Sequence, residues 1–582
     1  MFTQRAVHTD KSTGPVTAVS LCGLTAALLL FLGCSATHYR KSADNQVYKI
    51  VQQVENQVFG HTNSFSIDTP YSSRDPKTIL PAELIEDRLQ TNLRTLTIED
   101  ALRLSVEQSR RYQSAKETLY LTALTLTGQR HEFSPQFFGT LAGAVTRSSD
   151  GEVSADGSGA IGVTQLMRSG GKLGVTLAHD VLRYYTGDPR ASIFSSLSVN
   201  LAQPLLRGFG RNNPQVEALT QAERNVVYAV RNFGFFQNEF ALEIVNDYFA
   251  LLAQQQNIQN RYTNYLGRVQ STKRLEARAH DREQLSDVDQ VRQAELSAKN
   301  NYVNSVAIYR NALDQFKIKL GLPVGEKLTL DPNHLREIET NGLVTASLEP
   351  EAAYRYAVSN QVNILTAIDK FEDSKRKIRV AADRLRAELN LIGNASIPTD
   401  AGEDYTNFDP DKFRAGVGLD LNLPFDRLSE RNSYRATLVS FEAELRNLTL
   451  TLDNLKDGIQ SGLRTLDQRR QNYEIQKNAL ELANRRVLST TLLLEAGRAE
   501  VRDLVDSQDA QISTQTAVTA AQVDYQQARL ELLLQIGALD ASLDKFWLRD
   551  QLAALDALAG NATKQAAAGE QPVLPPEAYL TN

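Results

Sequence analysis

Two aspartates, Asp503 and Asp506, stand three residues apart shortly after Gly497, so that on a helix both carboxylates share one face. Little else in the chain could react. The seven histidines (His8, His38, His61, His131, His179, His280, His334) are scattered without metal-ligand spacing. The two cysteines, Cys22 and Cys34, both precede the body of the chain, which excludes a disulfide framework and a cysteine-based zinc site there. Residues 157–162 spell G-x-G-x-x-G, but a strand-like run follows rather than a helix, so the dinucleotide reading fails and a flexible loop is expected. Lys172 follows Gly171, yet Leu173 stands where a phosphate-binding loop needs Ser or Thr. No catalytic constellation, cofactor site or metal site emerges. Taken alone, the two aspartates read as a solvated helix face.

The elements that would position them are unusual. The chain has 582 residues, with 63 Lys+Arg against 69 Asp+Glu for a net charge of −6, which excludes a basic nucleic-acid binder. After residue 33 no apolar run approaches the ~18–20 residues of a membrane-spanning helix, which excludes a polytopic helical membrane protein but not a barrel. No proline occurs between Pro214 and Pro323, or between Pro424 and Pro572. Both windows are rich in Ala, Leu, Gln, Glu and Arg, and Ala241, Ile244, Val245, Tyr248 and Leu252 recur at three and four. A helix over 215–283 would be ~100 Å long, too long for a compact domain. Long helices are predicted over 215–283, 287–320, 433–496 and 501–537, turning back near 281–286 and 497–502.

Other stretches alternate with period two. Phe413, Ala415, Val417, Leu419, Leu421 and Leu423 face one way, and Arg414, Gly416, Gly418, Asp420 and Asn422 the other. Residues 387–397, 136–147 and 195–203 repeat the pattern, each with about the length of a tilted membrane strand. Alternation alone fits a soluble sheet wet on one face equally well. The N-terminus favours export: Val16 to Leu32 is uncharged behind Arg5 and Lys11, and the run ends Phe31-Leu32-Gly33-Cys34. This resembles a bacterial lipobox, which implies cleavage after residue 33, lipidation of Cys34 and, with Ser35 following, sorting to the outer membrane. A plain signal peptide or uncleaved anchor with an incidental cysteine is the alternative.

The two halves repeat. Residues 101–106 align with 353–358 at an offset of 252, Pro204 with Pro424 at 220, and Tyr309, Ala312 and Gly321 with Tyr525, Ala528 and Gly537 at 216. The surplus in the first half lies around 151–192, with alternating Leu173, Val175 and Leu177 and loop residues Gly187-Asp188-Pro189, and reads as a hairpin added beyond the membrane strands. Each half is therefore helix, helix, strand, loop, strand, very long helix, turn, helix. Four strands cannot close a membrane barrel, for which ~8 is the minimum, and an open edge in lipid is forbidden. Closure requires oligomerisation, and a trimer would supply twelve strands, three times four.

At this point the chain resembles the TolC family of outer-membrane efflux and secretion channels. The resemblance rests on Leu96-Thr97-Ile98-Glu99-Asp100-Ala101-Leu102, Gln203-Pro204-Leu205-Leu206-Arg207-Gly208-Phe209-Gly210-Arg211, Tyr248-Phe249-Ala250-Leu251-Leu252 and residues 497–506, in this order and with the duplication. It covers roughly 96–540. It implies an α+β membrane protein: a homotrimer whose shared transmembrane β-barrel, four strands per protomer, continues into a long helical periplasmic barrel of coiled coils. The organisation expected is a signal peptide (1–33), an extended segment running from the lipid anchor (34–95), a first repeat (96–323, with helices at 97–134), a linker (324–345), a second repeat (346–540) and a largely disordered tail (541–582).

The resemblance further implies that Asp503 and Asp506 line the narrow periplasmic entrance, where three copies would place six carboxylates around one constriction and attract cations. Gly497 serves the periplasmic turn, and Pro204 and Pro424 mark the passage from strand to helix. A gate-locking link is implied for Asp287; its partner position is Ala499 here, and Arg498 or Arg502 beside it could substitute. The expected function is a passive exit duct of a tripartite efflux or type I secretion system. Its partners would be a periplasmic adaptor (membrane fusion) protein, an RND, ABC or MFS pump of the inner membrane and outer-membrane lipid. No enzyme activity, cofactor or nucleic-acid partner is expected. The competing reading is a non-transport envelope scaffold or spacer built on long coiled coils.

Overall fold

The computed structural model describes residues 35–62, 64–185, 191–278, 285–341, 343, 348–399 and 406–549. The expected signal peptide and lipidated Cys34, the Gly187-Asp188-Pro189 loop, most of the first-half turn and the tail from residue 550 lie outside these residues.

The duplication appears in element lengths. Helices α3 (Ile98–Gln108) and α8 (Pro350–Asn360) have 11 residues each, and α4 (Arg110–His131) and α9 (Val362–Asp383) have 22 each. The long helices α5 (Pro214–Arg278) and α10 (Leu428–Glu495) have 65 and 68 residues, or ~100 Å each at 1.5 Å per residue. Each turns back into a 36-residue return helix, α6 (Leu285–Leu320) or α11 (Val501–Ile536). Both return helices end at a left-handed glycine, Gly321 (φ 85°) and Gly537 (φ 80°). There the N–H groups of Leu322 and Ala538 reach back to Lys317 O and Leu533 O, which satisfies carbonyls the helix end would otherwise leave bare.

The motif residues have physical jobs. Thr97 caps α3 by accepting from the Asp100 N–H at 3.1 Å. Tyr248, buried on α5, donates its hydroxyl to Leu96 O at 2.8 Å and accepts from Asp331 N at 3.2 Å. It thereby ties the long helix to a small parallel sheet in which β1 (Leu93–Leu96) pairs with β6 (Lys327–Leu330). This pairing, with α7 (Asn333–Asn341), gives structure to much of the stretch expected to be a linker.

The segment expected to run extended is instead helical over α1 (Ala36–Phe59), followed after a short 3-10 turn by α2 (Pro81–Leu89). Val47, Ile50 and Val51, spaced at three and four, are buried in the same core as the aromatic cluster of Phe65, Tyr112, Phe233 and Phe240. Pro70, Pro76 and Pro81 all fall after this helix and do not break it. The tail also departs from expectation as far as residue 549: Trp547 is 2 % exposed, and its carbonyl accepts from Arg529 at 2.6 Å and from Gln526.

The largest difference is in the sheet. Six strands form one antiparallel sheet in the order β2 (Gln136–Arg147), β3 (Val153–Leu166), β4 (Lys172–Tyr184), β5 (Ala191–Pro204), β7 (Glu388–Pro398), β8 (Arg414–Asn422). The β3–β4 hairpin, expected outside the strands, sits inside the sheet between β2 and β5. The G-x-G-x-x-G run, expected to be a loop, is the middle of β3; it pairs with 138–143 on one side and 176–181 on the other. A glycine is required at Gly162, where a Cβ would come within 2.7 Å of the Phe138 ring and of Val175 O. Among the described residues no helix is long and apolar enough to cross a membrane.

Candidate functional site: the helical tip and the strand-to-helix junction

The end of the molecule farthest from the sheet is built by the α10–α11 turn. Leu494 and Leu493 accept from the backbone N–H groups of Gly497 (3.0 Å) and Arg498 (2.8 Å), and Gly497 takes φ 71°. This is the glycine-dependent helix stop that the sequence signals. Helix α11 then starts in a capping box. Glu500 accepts from the Asp503 N–H, and the Asp503 carboxylate accepts from Glu500 N at 3.3 Å. Asp503 is thus a helix-start residue as well as an exposed acid. Asp506, also exposed, lies 4.0 Å from Arg502 one turn earlier. Both carboxylates stand on the solvent side of α11, opposite the buried Val501, Leu504 and Ser507.

Four helices converge beneath this turn. Leu275 of α5, Val291 of α6 and Val501 of α11 form a small apolar cluster with Leu494 of α10 and Val505 packed against it. Asp287 lies in the first turn of α6, half-buried beside the buried Val288. Among the described residues, no ion pair joins Asp287 to Arg498 or Arg502 within one chain; Arg498 is exposed, and Arg502 faces Asp506.

The cross-hairpin link that does exist was not foreseen. Arg268 of α5 is 1 % exposed and donates to Asp509 Oδ1 at 2.7 Å and to Val505 O at 3.0 Å, both on α11. Burial pulls its guanidinium below the ordinary arginine value, and the Asp509 charge opposes that shift. Its Nε and Nη1 have no hydrogen-bond partner among the described residues. A signal was available: Arg268, Thr272 and Leu275 recur at four and three on one face of α5, and all three are buried.

At the other end of the long helices, strand becomes helix. Pro204 closes β5, and Leu205 N still bonds Leu389 O at 2.7 Å. The chain then bends through Gly208 (φ 77°) and Gly210 (φ 60°). The buried Asp383, at the end of α9, holds this bend by accepting from Gly208 N at 2.7 Å and from the Asn212 amide at 3.2 Å. Asn213 caps α5, accepting from Gln215 N, with Pro214 at its first position. In the second half Pro424 stands between β8 and α10 and its carbonyl accepts from Arg427 Nε at 3.0 Å.

Between the two ends, α5 and α9 are joined by a buried polar knot. Asp373 accepts from Tyr228 (2.7 Å), Arg376 (2.6 Å), Gln221 (3.1 Å) and Arg224. Burial alone would raise this carboxyl; the hydrogen bonds and cations together outweigh it and hold the group below the usual carboxylate range. Among the described residues no group of three or more His, Cys, Asp or Glu is placed to hold a metal ion.

No family profile and no curated protein sequence matches the chain significantly. Solved structures do. The outer-membrane protein VceC of Vibrio cholerae aligns at TM-score 0.56 and 13% identity, over 76% of this chain and 96% of its own. The open state of the Neisseria gonorrhoeae outer-membrane channel MtrE aligns at TM-score 0.57 and 12% identity, over 76% and 88%. The Campylobacter jejuni outer-membrane channel CmeC aligns at 0.55 and 12%, over 80% and 89%. At such identities the likeness is one of fold.

Proposed function

We propose that this chain, which has the TolC-like fold of outer-membrane channels, is one subunit of a homotrimeric outer-membrane exit duct. What carries the reading is a single juxtaposition. One chain holds a sheet with an apolar face and two open edges, and two helical hairpins of ~100 Å that a single chain leaves half uncovered. Helix α10 buries only Leu455, Ile459, Leu466 and Ala483 over its 68 residues, while Ile475 and Leu482, seven apart, stand exposed. On α6 the same holds for Leu296 and Val303. Apolar residues at heptad spacing ask for neighbouring helices, and open strand edges ask for neighbouring strands. Two further copies meet both demands at once.

In this reading the sheet lies in the outer membrane, the helices extend into the periplasm, and Cys34 carries the lipid anchor. The duct is passive and performs no catalysis. Energy comes from an inner-membrane RND, ABC or MFS pump coupled through a periplasmic adaptor, in an efflux or type I secretion assembly. Asp503 and Asp506 ring the entrance, six carboxylates in three copies. Asp287, Arg498 and Arg502 link neighbouring chains there, a role their separation within one chain leaves open. Envelope fractionation tests the reading. A detergent-resistant trimer in the outer-membrane fraction is expected. A soluble periplasmic monomer would refute it and favour a coiled-coil spacer.

A further inference from the structure

The β3–β4 hairpin is as long as the other strands and belongs to the same wall. Twelve residue pairs join β2 to β3, from Gln136↔Thr164 to Arg147↔Val153, and twelve join β4 to β5, from Lys172↔Ala202 to Arg183↔Ala191. Its turn, residues 167–171, does not lie free. Ser169 Oγ donates to Gln203 Oε1 at 2.7 Å, and Gly210 N donates to Ser169 O at 2.9 Å. The turn is therefore pinned on the strand-to-helix junction. At Gly170 (φ 88°) a Cβ would come within 2.5 Å of both Asn213 and Gly208 O, so only glycine fits. The opposite ends of β3 and β4 join the 148–152 turn and the start of β5. Both strands run the full height of the sheet.

They also carry its two faces. One register row reads Phe137, Val163, Val175, Val199, Ala395, Ala415; the next reads Gly139, Ile161, Leu177, Leu197, Ile397. The alternate rows read Phe138, Gly162, Thr176, Ser198, Ser396, Arg414 and Gln136, Thr164, Gly174, Asn200, Asn394, Gly416. In these rows one face is apolar from β2 across the hairpin to β8 and the other is polar or small apart from Phe138; farther along the strands the first face also carries His179 and Ser195, 2.7 Å apart, and the second Leu182 and Phe194. A hairpin standing outside the membrane would have no reason to keep this pattern in register with strands inside it.

Resting on the proposed trimeric channel, we propose that each chain contributes six membrane strands, so that three copies close an eighteen-stranded barrel. The partner at each open edge is a second copy of this chain, β2 of one against β8 of the next. Six is even, so in an antiparallel sheet the edges β2 and β8 run in opposite directions and can pair antiparallel around a closed ring. Both edges are bare: Leu141 on β2 is 91 % exposed and Val417 on β8 is 81 % exposed. The perimeter agrees. Strands ~4.8 Å apart and tilted ~40° occupy ~6.3 Å of circumference each, so eighteen span ~113 Å and twelve only ~75 Å. Twelve helices meet the sheet, α4, α5, α9 and α10 from each of three chains, and packed ~8–10 Å apart they span ~96–120 Å. An eighteen-stranded wall meets the helical barrel at matching width and gives a lumen suited to bulkier cargo than twelve strands would pass.

The test uses the channel in lipid vesicles with single cysteines Val175→Cys, Leu177→Cys and Thr176→Cys, each labelled with bimane; a sample without an introduced cysteine sets the background. Bimane at 175 and 177 should shift to the blue and lose emission to nitroxide-bearing lipid, and bimane at 176 should do neither. A water-like, unquenched signal at all three positions in a trimer that still conducts would overturn the eighteen-strand barrel and leave the channel standing. Absence of trimer and conductance would bring down both. If the labelled chains fail to fold, electron microscopy of the unlabelled trimer decides between eighteen strands in the wall and twelve.

Discussion

Replacing Asp509 with Asn should loosen the helical tip, and the structure fixes by how much. Arg268 is buried and keeps two contacts on α11, the Asp509 carboxylate at 2.7 Å and Val505 O at 3.0 Å. Removing the carboxylate charge strands a guanidinium in an apolar site, next to the Leu275–Val291–Val501 cluster on α5, α6 and α11. A hydrogen bond between charged groups contributes ~1.5–3 kcal/mol. The Asp509 side chain is two-thirds exposed, so solvent screening trims the effect to ~1–2 kcal/mol. That is a ~5–30-fold rise in the population with α11 parted from α5. Hydrogen exchange of peptides covering 485–510, in the purified chain, reads this directly. Arg268→Met removes the buried charge as well as the bond and should cost less, and Asp509→Asn added to it should then have little effect. Unchanged protection in Asp509→Asn, or an equal loss in both backgrounds, would refute the idea that this pair holds the hairpins together.

Three further predictions follow from the same structure. Asp503→Asn with Asp506→Asn should weaken cation block of the reconstituted channel; Asp506→Asn alone should do so without disturbing the start of α11, whereas Asp503→Asn keeps an acceptor for Glu500 N but also removes a first-turn negative charge worth ~0.3–1 kcal/mol to the helix, and undiminished block would count against the entrance role. Asp373 titrates below its unfolded value, so its contribution is fully present above about pH 4 and is lost as pH falls through the folded value; thermal melts of Asp373→Asn should show lower stability at neutral pH and a flatter acid limb, and parallel acid limbs would contradict the assignment. Gly170→Ala should open the β3–β4 turn, costing at least ~1–2 kcal/mol for the left-handed backbone alone, and unaltered heat resistance of the assembled protein would show that the turn is not pinned at the junction.

The sequence was most legible where backbone physics acts locally. Proline-free windows mark the long helices, Gly321, Gly497 and Gly537 mark their stops, and Thr97 marks a cap, because each answers a need of one helix end. The duplication was readable for the same reason, since equal helices need equal spacings. The sheet was only half readable. Alternation in 136–147 and 413–423 identifies strands, but where the 151–192 surplus pairs depends on partners far along the chain, and glycines at 157, 159 and 162 mimic a loop until Phe138 is seen across from Gly162. Residues 35–59 were misjudged because Pro70, Pro76 and Pro81 suggested extension, although none of them lies in α1. At the tip, Asp503 and Asp506 stand out through their spacing, whereas the buried cation Arg268 lies in the mostly polar stretch 254–274 of α5.

The measurement that bears most directly on the whole account is single-channel recording of the purified trimer in planar lipid bilayers. Discrete, long-lived conductance steps, reduced by cations added on the side of the helical tip, are the result the account predicts. A trimer that inserts and stays electrically silent under every voltage and salt condition, with the Asp509→Asn tip loosened as well, would contradict it.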